Sequence, residues 1–223
     1  MRQKYRGGTK TAVIFATAAL LVLPANSVAR FGRSPGRAAS YATPTTVSGS
    51  ASAVRATTLS ALGLLGGLGS TTTVLSDTGT LAGTNQSRDA YQTLGSVPSL
   101  LTAEVLSAST FSYPNQVDSQ SSLANLGLVV AGVKIVADSV AAQASQVAGA
   151  AGTGSTTISN LSINGIPVVV SGYPNQSVPV PGGQVVLNEQ SISSTGTAVV
   201  NAIHVMVSGF ADVVIASATA GIS

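Results

Sequence analysis

From Thr45 to its end the chain is written in short runs of Val, Thr, Ser and Ala, broken at close intervals by Gly, Pro and Asn. β-branched residues suit a pleated, half-buried surface, and Gly, Pro and Asn supply the dihedrals that reverse it. The expectation is an all-β fold: one antiparallel β-sandwich-like domain over residues 45–223, with a short irregular β-solenoid as the alternative. Only 8% of the 223 residues are charged, against about 25% in an average soluble chain. Long solvated helices stitched by ion pairs do not fit such a chain.

Local patterns refine the picture. Leu101–Phe111 follows an imperfect period of two, with Leu101, Ala103, Val105, Ser107, Ser109 and Phe111 in one parity. Ser122–Val130 and Lys134–Val140 read as a strand pair around Ala131-Gly132, while Val140–Gly149 is rich enough in alanine for a helix. Asn164-Gly165 sits inside Thr157–Val170, the clearest hairpin signal in the chain. Thr197–Val207 and Asp212–Ala218 read as a core hairpin. Two echoes stand out: Tyr-Pro-Asn-Gln at 113–116 and 173–176, and Asn-Leu at 125–126 and 160–161. Their offsets disagree, which argues against a regular repeat.

The first residues have a different grammar. Arg2, Lys4, Arg6 and Lys10 precede the apolar stretch Thr11–Leu23, followed by Pro24 and the small residues Ser27-Val28-Ala29. These are the parts of a secretory signal peptide, residues 1–29, cleaved between Ala29 and Arg30. Thirteen helical residues would reach only about 20 Å, short of a bilayer's hydrocarbon core. Residues 30–44 read as a flexible leader. Cleavage removes four of the ten basic groups and none of the seven acidic ones, which leaves six against seven. A nucleic-acid partner then has no electrostatic footprint, and no membrane span is expected after cleavage. The chain is expected to be secreted, extracellular or associated with the cell envelope, with envelope or matrix components, or further copies of itself, as partners.

The absence of cysteine and the single histidine exclude thiolate and multi-histidine metal sites. No acidic loop suits calcium, so neither metal nor cofactor is expected. Asp77-Thr78-Gly79 matches the triplet of aspartic proteases, which need two such carboxylates; an ordinary turn explains it as well. His204 alternates with apolar residues and has Asp212 near in sequence. Its simpler reading is a strand histidine bonded to a neighbouring strand. Glu104 and Glu189 are the only glutamates. A glycosidase would need both at one bond, whereas each alone reads as a structural contact, Glu189 tying backbone groups at a strand end. Tyr113 and Tyr173, in the twin tetrapeptides, are the candidate sugar-stacking aromatics. The run Ala61–Gly69, with four leucines and four glycines, reads as a connection tucked under a sheet.

Several stretches together resemble the bacterial choice-of-anchor P proteins: Ser159-Asn160-Leu161-x-Ile163-Asn164-Gly165, Pro181-Gly182-Gly183, Val186-Leu187-Asn188-Glu189-Gln190, and the ending from Val200 to Ala218. Ser76-Asp77-Thr78-Gly79 and Leu101–Ala108 fit the same pattern. The resemblance covers roughly residues 45–223. It implies an exported domain held at the envelope, and it brings no reaction or ligand. The expected function is therefore a non-enzymatic secreted or cell-surface protein, structural or adhesive. The alternatives are an exported hydrolase using Asp77 or the pair Glu104 and Glu189, or a carbohydrate-binding module.

Overall fold

A computed structural model describes residues 46–62 and 67–223. The signal segment with Ala29 and Arg30, the 30–44 leader and the middle of the 61–69 run lie outside the described residues.

The described residues form thirteen strands: β1 (Val47–Leu62), β2 (Gly67–Asp77), β3 (Ser87–Val97), β4 (Leu101–Ser112), β5 (Gln116–Val130), β6 (Val133–Val147), β7 (Thr153–Ser159), β8 (Ser162–Ile163), β9 (Ile166–Pro167), β10 (Gln176–Val180), β11 (Gly183–Ile192), β12 (Ala198–Val207) and β13 (Ala211–Ile222). One sheet has the order β10-β11-β12-β13-β1-β2. The other runs β3-β4-β5-β6-β8-β9, with β7 also paired to β6. All pairings are antiparallel, and the sheets pack face to face as a β-sandwich rather than stacking as a solenoid.

The turns explain the simple meander. Ala131 and Gly132 both have positive φ between β5 and β6, as do Asn164 and Gly165 between β8 and β9, the signature of tight two-residue hairpin turns. The expected 157–170 hairpin is much shorter than its sequence suggested. Residues 157–159 instead belong to β7 and pair with β6, and residues 168–170 form no strand. Val140–Val147, a candidate helix, continues β6, with Val140, Ala142 and Ala144 buried. Alanine's helix propensity loses here because two flanking strands and a facing sheet claim this backbone.

Both sheets reverse their pleat along one transverse row. In the first sheet each of five strands turns two consecutive side chains inward: Leu187–Asn188, Ala202–Ile203, Ile215–Ala216, Ala53–Val54 and Leu75–Ser76. Leu187, Ile203, Ile215, Val54 and Leu75 are register partners across those strands. Asn188, Ala216 and Ser76, in alternate strands, take left-handed φ of 52°, 52° and 47°. In the second sheet the doublets face outward: Glu104–Val105, Ala124–Asn125, Asp138–Ser139 and Ser159–Asn160. Val105, Asn125 and Asn160 are left-handed there, and the β4–β5 register shifts at this place. A left-handed residue inside a strand is a bulge-type device that re-aims the side chains beyond it. The inward set of β4 is thus Leu101, Ala103, Leu106, Ala108 and Thr110, whereas Val105 is 50% exposed.

The row divides the core in two. On one side it is filled by branched aliphatics such as Leu101, Leu126, Leu128, Ile135, Val205 and Val213. On the other side Ala108, Ala142, Ala144, Ala218 and Ala220 face one another. Ser119 Oγ and Ser121 Oγ there donate across the core to the carbonyls of Thr219 (2.6 Å) and Ser217 (2.9 Å). A serine reaches the facing backbone only where the sheets approach more closely than the roughly 10 Å typical of sandwiches. Buried Gln146 pins this thin end. Its Nε2 donates to the carbonyls of Ala150 and Thr195, and its Oε1 accepts from the Ile222 amide.

Candidate functional site

The outer face of the six-stranded sheet gathers several of the singled-out residues. Glu189, Asn201, Ser217, Ser52 and Asp77 follow one another in register across β11, β12, β13, β1 and β2. The pleat reversal lets Asn201 and His204, three residues apart, face the same way. Asn201 Nδ2 donates to Glu189 Oε2 at 2.6 Å, and Ser217 Oγ donates to Asn201 Oδ1 at 2.7 Å. His204 lies between two carboxylates, with Nδ1 at 2.9 Å from Glu189 Oε2 and Nε2 at 3.1 Å from Asp212 Oδ1. Carboxylates only accept, so an imidazolium ring alone donates to both. Glu189 therefore binds side chains of β12 rather than backbone groups at a strand end.

This arrangement occupies its own reactive atoms. Both nitrogens of His204 face carboxylates, and the Ser217 hydroxyl points to Asn201. Among the described residues no three His, Asp or Glu side chains converge to hold a metal ion. Asp77 ends β2, and its Oδ1 accepts the Gly79 amide at 3.1 Å. Thr78 Oγ1 accepts the Ala51 amide at 2.9 Å, so the Asp-Thr-Gly triplet closes a turn against β1. Beside it a shallow depression of about 180 Å³ is lined by Ser52, Arg55, Asp77, Asn201 and Ser217.

Glu104 lies on the outer face of the other sheet and accepts from Asn125 Nδ2 at 2.7 Å. The whole core separates it from Glu189, so the two glutamates do not converge. Asp138 accepts from Asn160 Nδ2 at 2.6 Å in the same way. The Asn-Leu echo marks this repeated device: a left-handed Asn holding a cross-strand carboxylate, then a buried Leu. Tyr113 stands in the β4–β5 turn, where its amide donates to the Gln116 carbonyl at 2.7 Å. Tyr173, 78% exposed, stands in the crossing between β9 and β10. Neither tyrosine lines the depression beside Asp77 or those on the outer face of the seven-stranded sheet. The twin tetrapeptides also differ in use: Gln116 Nε2 holds Asp118, whereas Gln176 staples its own loop at Val169 and Ser171.

A second candidate lies on the outer face of the seven-stranded sheet, above the thin half of the core. A depression of about 360 Å³ is lined by Phe111, Asp118, Gln120, Gln143, Ser145, Thr153 and Ser155. It adjoins one of about 240 Å³ that shares Gln120 and Gln143 and continues past Ser107 and Ser122. Register aligns its walls: Phe111–Asp118–Ser145–Thr153 in one row, Ser109–Gln120–Gln143–Ser155 in the next. These residues carry no strong local signal, being ordinary outward polar positions on separate strands. Only the strand pairing brings them together.

No protein-family model matches the chain, and no curated protein and no solved structure matches it.

Proposed function

We propose that this chain is an exported, non-enzymatic module that acts at the cell surface or in the surrounding matrix by adhesion through its sheet faces. The observation that carries this reading is where the acidic side chains spend their hydrogen bonds. Glu189, Glu104, Asp138 and Asp77 are each held by a neighbouring side chain or backbone amide of the sheets. Carboxylates used this way fix strand register and leave the working surface to neutral Ser, Thr and Gln groups. The basic, apolar and small-residue segments at positions 1–29 support export, as does the resemblance to choice-of-anchor P proteins.

The test is fractionation of expressing cells into medium, envelope and cytosol, with N-terminal sequencing of the recovered chain. A product beginning at Arg30 in medium or envelope, adhering to cells or matrix, is expected. A full-length chain confined to the cytosol overturns export. Turnover of a peptide or glycoside library that disappears in Asp77→Asn or Glu104→Gln overturns the non-enzymatic reading.

A further inference from the structure

We infer that the groove on the outer face of the seven-stranded sheet binds a neutral polysaccharide chain, a proposal that rests on the adhesive reading and names its ligand class. Three observations converge on it. The groove has a structural cause: small inward residues and the Ser119 and Ser121 bonds to β13 draw this part of the sheet toward its partner, leaving the outer face concave. Its polar groups are also unspent. Among the described residues the amides of Gln120 and Gln143 and the hydroxyls of Ser145 and Ser155 have no side-chain hydrogen-bond partner. The polar row on the opposite face, by contrast, satisfies itself.

The chemistry of the lining then selects the ligand. An amide offers donors and an acceptor together, and a hydroxyl does the same, matching sugar hydroxyls that both give and take. Phe111, 38% exposed at one wall, offers a ring against which the apolar face of a sugar packs. The only charge is Asp118, held through both oxygens by Gln116 Nε2 at 3.0 and 2.8 Å. With no cation in the lining, phosphate, sulfate or uronate groups find no partner, while Asp118 accepts from a neutral hydroxyl. Two depressions joined along the strands suit a chain of sugars rather than a single one.

Affinity electrophoresis of the purified chain through gels containing neutral β-glucan, α-glucan, soluble chitin derivatives or mannan tests this, with alginate as the anionic comparison. Retardation by at least one neutral polymer is expected. It should weaken by roughly tenfold or more in Gln120→Ala/Gln143→Ala, since each lost hydrogen bond removes a few-fold in affinity. Phe111→Ala should weaken it similarly, whereas Tyr113→Ala/Tyr173→Ala should not. If the double glutamine variant melts early, Gln143→Leu, which keeps the side-chain bulk, should still weaken retardation about a few-fold. Retardation by alginate alone, by no polymer, or undiminished in the groove variants overturns the inference. Adhesion to cells without glycan binding would sink the groove and leave the adhesive reading standing. Glycan binding accompanied by depolymerisation would do the reverse.

Discussion

Among the described residues Val105 is the only β-branched residue with a left-handed backbone, at φ 50°. Its Cβ crowds the carbonyl in that region, a strain of about 1–2 kcal/mol for an ordinary L-residue. The other left-handed positions along the pleat reversals are Asn, Ser or Ala, and asparagine tolerates this conformation best. Val105 is half exposed, so replacing it removes little core contact. Val105→Asn is therefore expected to stabilise the protein by about 1 kcal/mol, raising Tm by roughly 2–4 °C for a domain of this size. A melting curve decides it: an unchanged or lowered Tm would show that β4 does not take the left-handed turn at this residue.

At the scale of strands, the sequence reveals those elements whose signals are local. The β5–β6 and β12–β13 hairpins follow from apolar runs on either side of Ala131-Gly132 and Ser208-Gly209, and neither needs distant information. The pleat reversal is invisible to a period-two reading. Val105 and Leu106 look interchangeable until the left-handed backbone of Val105 leaves it outward and turns Leu106 inward. The alanines of 141–144 are ambiguous for a related reason. Small residues serve a helix as well as the inside of a sheet pressed against its neighbour, and only the facing strand decides. Among site residues, His204 with Asp212 was legible from proximity in sequence. Its partnership with Glu189 and the pairing of Gln120 with Gln143 depend on register. The close approach of strands is itself open to test at Gly154 in β7. A Cβ there would lie 2.2 Å from Val200 Cγ2 of β12. Gly154→Ala should lower the urea midpoint by the equivalent of about 1–3 kcal/mol, with m unchanged. The neighbouring, outward Ser155→Ala should stay within about 0.5 kcal/mol. Equal, small effects at both positions would mean that β7 does not pack so tightly on β12.

At the scale of the whole molecule, the two flanks of the sandwich are unequally guarded. On one flank β10 carries Pro179 and β9 carries Pro167, residues that cannot donate to an added strand. Beside them Gln190 Nε2 covers the Gly154 carbonyl of β7 at 3.2 Å. The opposite flank is formed by β2 and β3, eleven residues each, with no proline. Their charges are confined to Asp77, Arg88 and Asp89, while Tyr91 and Leu94 stand out from β3 at 63% and 72% exposure. Long edges without proline or central charge are templates for strand addition, and six basic against seven acidic groups in residues 30–223 give little electrostatic repulsion to oppose it. Chain 30–223 should therefore associate as its concentration rises, through this flank. Thr93→Lys in β3, with Thr71→Lys in β2 where one change is insufficient, should return it to monomer without altering its melting by more than about 1 kcal/mol. Light scattering across a concentration series reads the result. A wild type that stays monomeric, or association that the lysines leave intact, would place the contact elsewhere, because an edge-to-edge sheet cannot easily bury a lysine ammonium in its middle.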